Sequence, residues 1–366
     1  MKKLFSIIFF VFCTYDALAQ PASFLVNGKV VDAVTRLPLQ AASVFAQNTT
    51  MGTASTAEGS FVLRLPNGGY DLVITFTGYE TITKRISTAD TSNKNILIEL
   101  KQKEKAMEEI SIKTSNEVKD GLVKYGDFFM ENFLGKTINS SQCVIKNKEA
   151  LKFYFSKKRN RLKVLCAEPI LIENLALGYT IKYTIDSFTH DYTTLVSSYT
   201  GYPLFEAIAT ADVTQSSMWQ ANRLKAYKGS ILHFMRSAYH KNLQQEGFEV
   251  QFLFKNNDTE TAIPVKNLYG GLNYIKDDST QVVEIQPNQP DVAVLYKNEL
   301  PDKDYTAQNL EAAAKKFQLS VINIPALQAI GIEQNGYYFD QNDITITGYW
   351  SWEKVGDMVP YDYKPE

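Results

Sequence analysis

Histidine, cysteine and tryptophan are scarce in this chain, with three of each among 366 residues. The histidines, His190, His233 and His240, fall in no HxxE or HExxH pattern. The His/Glu/His set around an open metal position, which a zinc peptidase needs, is therefore missing. His233 and His240 are about 10 Å apart along a straight helix, at 1.5 Å per residue, too far to share one metal. GxSxG, P-loop and GxGxxG patterns are also lacking, which leaves nucleophilic and nucleotide chemistry unsupported. Neither charge sign dominates: 38 Lys plus Arg stand against 40 Asp plus Glu. That balance argues against a nucleic-acid footprint and against an acidic tail for a cationic partner. Beyond the first twenty residues no apolar run reaches eighteen, so no membrane-spanning helix is expected in the mature chain. What is present is a 45% hydrophobic fraction, enough for real cores, and a length that allows two or three domains.

The N-terminus reads as an export signal. Lys2 and Lys3 precede an apolar stretch from Leu4 to Tyr15, and Ala17-Leu18-Ala19 supplies a small-x-small cleavage pattern. Residues 1–19 are the expected signal peptide and Gln20 the expected mature start. Val11-Phe12 before Cys13 lacks the small residues that lipoprotein processing needs. Cleavage leaves Cys143 and Cys166 in an oxidising compartment, where one disulfide or two buried thiols are both open readings.

Residues 20–103 read as an all-β unit. Alternating runs at 24–31, 42–47, 60–65, 69–76, 81–86 and 95–100 are separated by turn residues such as Asn27-Gly28, Pro66-Asn67-Gly68-Gly69 and Thr77-Gly78. Six or seven strands in so short a span, with no helical period, predict a β-sandwich. The ordered residues Gly28-Lys29-Val30-Val31-Asp32, Leu37-Pro38-Leu39-Gln40-Ala41-Ala42-Ser43-Val44, Gly52-Thr53, Glu58-Gly59-Ser60-Phe61 and Gly78-Tyr79-Glu80 carry a resemblance. The segment resembles the carboxypeptidase-regulatory-like domain, a transthyretin-like sandwich common in Bacteroidetes envelope proteins. That family is an accessory domain without catalytic residues, so the resemblance implies no peptidase activity. The same sandwich precedes starch-utilisation-type TonB-dependent transporters, and Met107-Glu108-Glu109-Ile110-Ser111-Ile112 is similar to the segment that follows it there. A transporter barrel needs about 22 strands, more than the rest of this chain supplies. Residues 104–118 read as a charged linker.

Residues 119–366 read as an α+β domain with an antiparallel sheet. Val118, Leu122, Tyr125, Phe129 and Phe133 line one helix face, with Gly135 as its stop. Tyr179, Ile181, Tyr183 and Ile185 alternate with polar residues, the pattern of a strand with one wet face. Ser217 and Gln220 form a capping box for a helix through Leu224; Gly229 interrupts it, and a second helix is expected from Ser230 to about Gln245. Thr306 to Phe317 is expected to be helical. Strands and helices grouped rather than alternating indicate α+β. This half resembles an uncharacterised Bacteroidetes family through Glu131-Asn132-Phe133-Leu134-Gly135-Lys136-Thr137, Glu168-Pro169, Ile172-Glu173-Asn174, Leu177-Gly178-Tyr179, Gly201-Tyr202-Pro203-Leu204-Phe205, Asn222-Arg223, Ala226-Tyr227, Gly229-Ser230 and Gly348-Tyr349-Trp350-Ser351-Trp352-Glu353. The resemblance implies an address and no mechanism.

Few residues in this half invite chemistry. Glu168 and Glu173 are a conceivable carboxylate pair for glycoside hydrolysis, but one precedes a proline and the other begins a turn. Trp219, Trp350 and Trp352 suit either sugar stacking or the aromatic core, and the core is the expectation. His233, Arg236 and His240 fall within about 60° of one helix face, the one place where three cationic donors line up. Such a face suits an anion such as a sugar acid or lipid phosphate, with Arg236 as the fixed charge near neutral pH. These three are the candidate binding residues; no catalytic, metal or cofactor site is expected. The sequence therefore predicts a non-enzymatic exported envelope protein, in the periplasm or on either face of the outer membrane. Its role is binding or assembly with a protein or glycan partner. A carbohydrate-binding protein and a hydrolase with an unrecognised site are the alternatives.

Overall fold

The computed structural model describes residues 22–103, 116–256, 259–325, 328–339, 341 and 344–365. The expected signal peptide and the Met107–Ile112 segment lie outside them. Seven strands build the N-terminal unit: β1 (Ser23–Asp32), β2 (Ser43–Ala46), β3 (Gly52–Ala54), β4 (Ser60–Pro66), β5 (Gly69–Thr75), β6 (Ile82–Ser87) and β7 (Ile96–Leu100). They form two sheets, ordered β4-β1-β7 and β3-β2-β5-β6. Period-two patterning decides what each strand buries: Phe61, Leu63 and Leu65 of β4 point inward while Ser60, Val62 and Arg64 point out. The inward residues meet Val26, Val30, Leu72 and Ile74 from the neighbouring strands in one core. Asp32 ties the family-like motifs together. One carboxylate oxygen accepts from the Val34 and Thr35 amides, and the other accepts from the Tyr79 hydroxyl at 2.8 Å.

The second half opens with α1 (Gly121–Phe133), whose stop at left-handed Gly135 (φ 108°) matches the sequence reading. Next come β8 (Cys143–Ile145), β9 (Leu151–Ser156), β10 (Arg161–Cys166), β11 (Ile170–Asn174), β12 (Tyr179–Asp191) and β13 (Val196–Ala207), all in one antiparallel sheet. β13 runs along one edge of β12, so β10 and β11 lie end to end on the other. A bulge between Ile185 and Ser187 shifts the register, and the inward parity changes with it. Tyr179, Ile181, Tyr183 and Ile185 are buried before it, Phe188 and His190 after it. Phe133 meets Tyr183 and Tyr199 edge-on, and Phe129 meets Phe188 likewise, which seats α1 on this sheet.

Two helices follow, α2 (Val213–Tyr227) and α3 (Ile231–Tyr239). Helix α2 starts before the expected capping box, because the Asp212 carboxylate accepts from the Thr214 and Gln215 amides. It then donates to four successive carbonyls of the turn before β12. Trp219 Nε1 bonds Leu175, Asn222 bonds Ala176, and Arg223 bonds Leu177 and Gly178. Gly178 (φ 65°) lies under the Trp219 ring, where a Cβ would come within 2.2 Å. The Leu177-Gly178-Tyr179 and Asn222-Arg223 motifs are thus the two sides of one contact. Helix α3 is capped by Ser230 as expected but ends at Tyr239 rather than near Gln245, since Lys241 turns left-handed (φ 56°).

The remaining strands are β14 (Phe248–Asn256), β15 (Thr259–Pro264), β16 (Ile275–Lys276), β17 (Val283–Ile285), β18 (Asp291–Tyr296), β19 (Gln318–Asn323), β20 (Ile330–Ile332) and β21 (Thr345–Gly348). They make a five-stranded sheet, β15-β14-β18-β19-β21, and a small one, β16-β17-β20. Phe234, Met235 and Ala238 of α3 pack with Phe248, Val250 and Val294 of the larger sheet. The expected helix at 306–317 is instead two short ones, Lys303–Gln308 and Leu310–Ala313, because Asn309 leaves helical geometry (φ −129°, ψ 81°). The antiparallel α+β expectation for this half is met, and the sandwich precedes it.

The two halves are fastened together. The Asn48 amide donates to Pro203, Thr49 bridges Leu204, and the Asn335 carboxamide donates to Gly69. Arg85 approaches Glu333 at 3.4 Å and stacks over the Phe339 ring. A Cβ on Gly69 would stand 2.5 Å from Glu333, so this glycine serves the seam as well as its turn.

Candidate functional site

A cleft of about 540 Å³ opens along this seam. The sandwich contributes the Pro66-Asn67 turn and Tyr70; α2 and α3 contribute the opposite wall. Gln334 and Asn335 form one end, and the C-terminal stretch from Tyr361 to Pro365 crosses the cleft as a strap. His233, Arg236 and His240 all line it. The helix spacing brings them to one cleft, yet their local chemistry differs.

His233 is buried rather than on a solvated face. Its Nδ1 accepts from the Gly229 amide at 3.1 Å, which leaves Nε2 as the protonated nitrogen, 3.1 Å from the Glu246 carboxylate. Burial pushes its pKa below the ordinary value, with Glu246 pulling the other way. Arg236 is committed to the strap. Its Nε donates to Asn335, Nη1 to Tyr363 and Nη2 to Tyr361, all backbone carbonyls at 2.7–2.9 Å. Carbonyls rather than a carboxylate anchor this arginine, and its guanidinium also reaches Tyr227, lying 5.4 Å from the ring centroid. His240 sits at the α3 terminus, exposed to solvent. Partial desolvation first, then the positive charges of Lys276 and Arg236, hold its pKa below the ordinary value. Both histidines are therefore neutral over a wider pH range than the reference values imply.

Sequence reasoning missed most of the rest. Glu246 accepts from His233 through one oxygen and from Asn242 through the other. Asp362 bonds the Thr50 amide at 2.9 Å and its hydroxyl, so the strap is pinned to the sandwich as well as to α3. The Tyr361-Asp362-Tyr363 run was visible as a tyrosine-rich terminus, but nothing in the sequence says what it crosses.

The other candidates are placed as structure. Glu168 pairs with Asn147 at an exposed position, and Glu173, half-buried within β11 rather than opening a turn, pairs with Lys146. Trp219 and Trp350 are buried, with their indole N–H groups on the Leu175 and Gly229 carbonyls. His190 is buried too, bonded to Ser197 and edge-on to Phe128. Among the described residues no group of three or more His, Cys, Asp or Glu is arranged to hold a metal ion. No helix among them is long and apolar enough to cross a membrane.

Residues 26–112 match the family model of the CarboxypepD_reg-like domain, so the sandwich is a carboxypeptidase-regulatory-like domain. Among solved structures, the chain is similar to a DUF3823 family protein from Bacteroides ovatus. That similarity has 12% identity and a TM-score of 0.18, covering 52% of this chain and 83% of that one. No curated protein matches the chain.

Proposed function

We propose that this is a non-enzymatic exported envelope protein, in the periplasm or at the outer membrane, whose two halves act as one binding or assembly unit. The observation that carries the reading is the joint construction of the cleft. Its walls come from the sandwich, α2, α3 and the C-terminal strap, so neither half has it alone. The non-enzymatic part is supported by how the polar groups are spent. Arg236 bonds carbonyls, His233 bonds Glu246 and Gly229, and the Ser237 hydroxyl donates to the His233 carbonyl. A nucleophile needs a base beside it, and no such pair lines this cleft among the described residues. Export is supported by the basic, apolar and small-residue segments of 1–19.

The test is affinity purification of the tagged full chain from envelope extracts, with N-terminal sequencing of the mature form. The expected start is Gln20. A partner should be retained by the native chain and lost from a seam variant combining Arg85→Ala with Tyr337→Phe. Retention by the separated halves, or hydrolytic turnover by the purified chain, overturns the reading.

A further inference from the structure

The turn that the second half presses onto the sandwich carries an uneven charge count. Strand β20 ends at Ile332, and the chain reverses at once: the Glu333 amide donates to the Tyr337 carbonyl, and the Gly336 amide to the Glu333 carbonyl. From this turn Glu333, Asn335 and Tyr337 reach β5 and β6 of the sandwich. Asp71 of β5 and Arg85 of β6 are direct cross-strand partners, so they share one face of that sheet. Gly69, two residues before Asp71, lies on the same face, and its missing side chain makes the room that Glu333 fills.

Both carboxylates look to Arg85. Its guanidinium stands 3.4 Å from Glu333, which is 4% exposed, and its charge also acts on half-buried Asp71. The other titratable groups facing the pair are phenols: Tyr70 from β5, Tyr202 from β13, Tyr337 from the turn and Tyr361 from the strap. Burial holds all four above the ordinary phenol value, so they are uncharged near neutral pH. Beyond Tyr70, the charges of Asp362 and Arg236 oppose each other. Among the described residues one positive charge therefore serves two carboxylates. Seating the turn at neutral pH leaves one negative charge in the seam without a counter-charge, and uptake of one proton removes the excess. Burial raises the pKa of Asp71 and of Glu333 above the ordinary carboxyl values, as that count requires.

We propose that the Glu333–Tyr337 turn is a proton-operated clasp, seated on the sandwich most firmly in acid and loosening as pH rises. Seated, the two carboxyls titrate above their ordinary values; released into water, they return to them. The seated form thus binds more protons. Its advantage is full below the ordinary carboxyl range and is lost as pH climbs through the raised values. The loosening is local, because the Asn48–Pro203 bond and the Asp362–Thr50 bond do not involve these groups. What it moves is the end of the cleft formed by Gln334 and Asn335. The inference concerns the seam itself and holds whether or not the cleft takes a partner.

The test is hydrogen exchange of the full mature chain, read by mass spectrometry on peptides spanning residues 66–75 and 330–339 at pH 5 and pH 7.5. Rates are corrected for the intrinsic pH dependence of exchange, and peptides from β18 measure global unfolding, which is subtracted. Opening of the seam peptides should be about three- to tenfold greater at pH 7.5, which corresponds to about half to one pKa unit between the seated and released forms. The double variant Asp71→Asn/Glu333→Gln should flatten this dependence. Arg85→Gln, altered at an exposed side chain, should steepen it, since the counter-charge is gone. A flat native profile overturns the inference, as does a slope that persists undiminished in the double variant or an Arg85→Gln profile that matches the native one. An envelope partner retained equally at both pH values while the seam peptides open would leave the clasp standing and overturn the joint-cleft reading instead.

Discussion

The Tyr337 hydroxyl donates to the Asp71 carboxylate at 3.1 Å, joining residues 266 apart in sequence across the seam between the two halves. Burial raises the Asp71 pKa, and the hydrogen bond from Tyr337 and the charge of Arg85 oppose that rise. The carboxylate is thus brought into the interface on condition that its partners come with it. Tyr337 meets the same condition on its own side, since the ring is buried and lies within reach of the Arg85 guanidinium.

Tyr337→Phe removes the donor and leaves the carboxylate in place. The expected cost is about 1–2 kcal/mol near neutral pH, the penalty for a stranded acceptor. Asp71 should also titrate higher in the variant. A protonated Asp71 has less need of the donor, so the difference from the native chain should shrink as pH falls. Thermal unfolding of both chains at pH 7 and at pH 4.5 checks this; a gap that widens in acid sinks the account.

Arg236→Ala should free the strap. Three carbonyls lose charged donors at once, with an expected loss of about 3 kcal/mol, because such bonds are not additive. Arg236→Lys should rescue little, since a point charge cannot serve three carbonyls as the planar fork does. Limited proteolysis with mass spectrometry is the measurement, and cleavage should appear first between residues 358 and 365. Equal protection in all three chains would assign the strap to other contacts.

Asp357 makes stability fall as pH rises. It is buried against Thr137 and Asn139, and burial pushes its pKa up to about 6 from 3.8. Between those values the folded chain keeps a proton that the unfolded chain has released, so this group's contribution is present in acid and lost as pH climbs through about 6. The span is worth about 3 kcal/mol at most, at 1.36 kcal/mol per pKa unit. Asp357→Asn should be neutral throughout and lack that slope. Denaturant midpoints from pH 4 to pH 7 give the comparison, and parallel curves for the two chains would remove Asp357 as the cause.

Cys143 and Cys166 should stay reduced after export. Cys143 pairs in register with Asn174, and Cys166 lies eight residues from Asn174 along the β10–β11 line. At about 3.3 Å per strand residue the two are on the order of 20–25 Å apart, against a limit of about 7 Å between Cα atoms for a disulfide. Burial pushes the Cys143 thiol up to about 12 and the Cys166 thiol in the same direction. Thiol titration should therefore count two groups in denaturant and react slowly with the native chain. An oxidised pair in material from the envelope would require a different strand register.

Local patterning set much of the architecture on its own. Period-two alternation and turn residues marked the sandwich strands, because a half-buried strand must sort its side chains by face wherever it lies. Gly135, Gly229 and Ser230 punctuated the helices for equally local reasons, left-handed backbone and amide capping. The same locality explains the failures. The capping-box pattern at Ser217 is a short-range signal, while Asp212 satisfies the real α2 terminus. The spacing of His233, Arg236 and His240 placed them on one helix face, but the groups around them, Glu246, Lys276 and the Tyr361–Tyr363 strap, come from three other places in the chain. Only the tertiary structure decided that His233 is buried, that Arg236 holds a strap and that the sandwich is pinned to the second half. Burial and hydrogen bonding depend on what packs from outside the segment, and a one-dimensional pattern records only which face a residue takes.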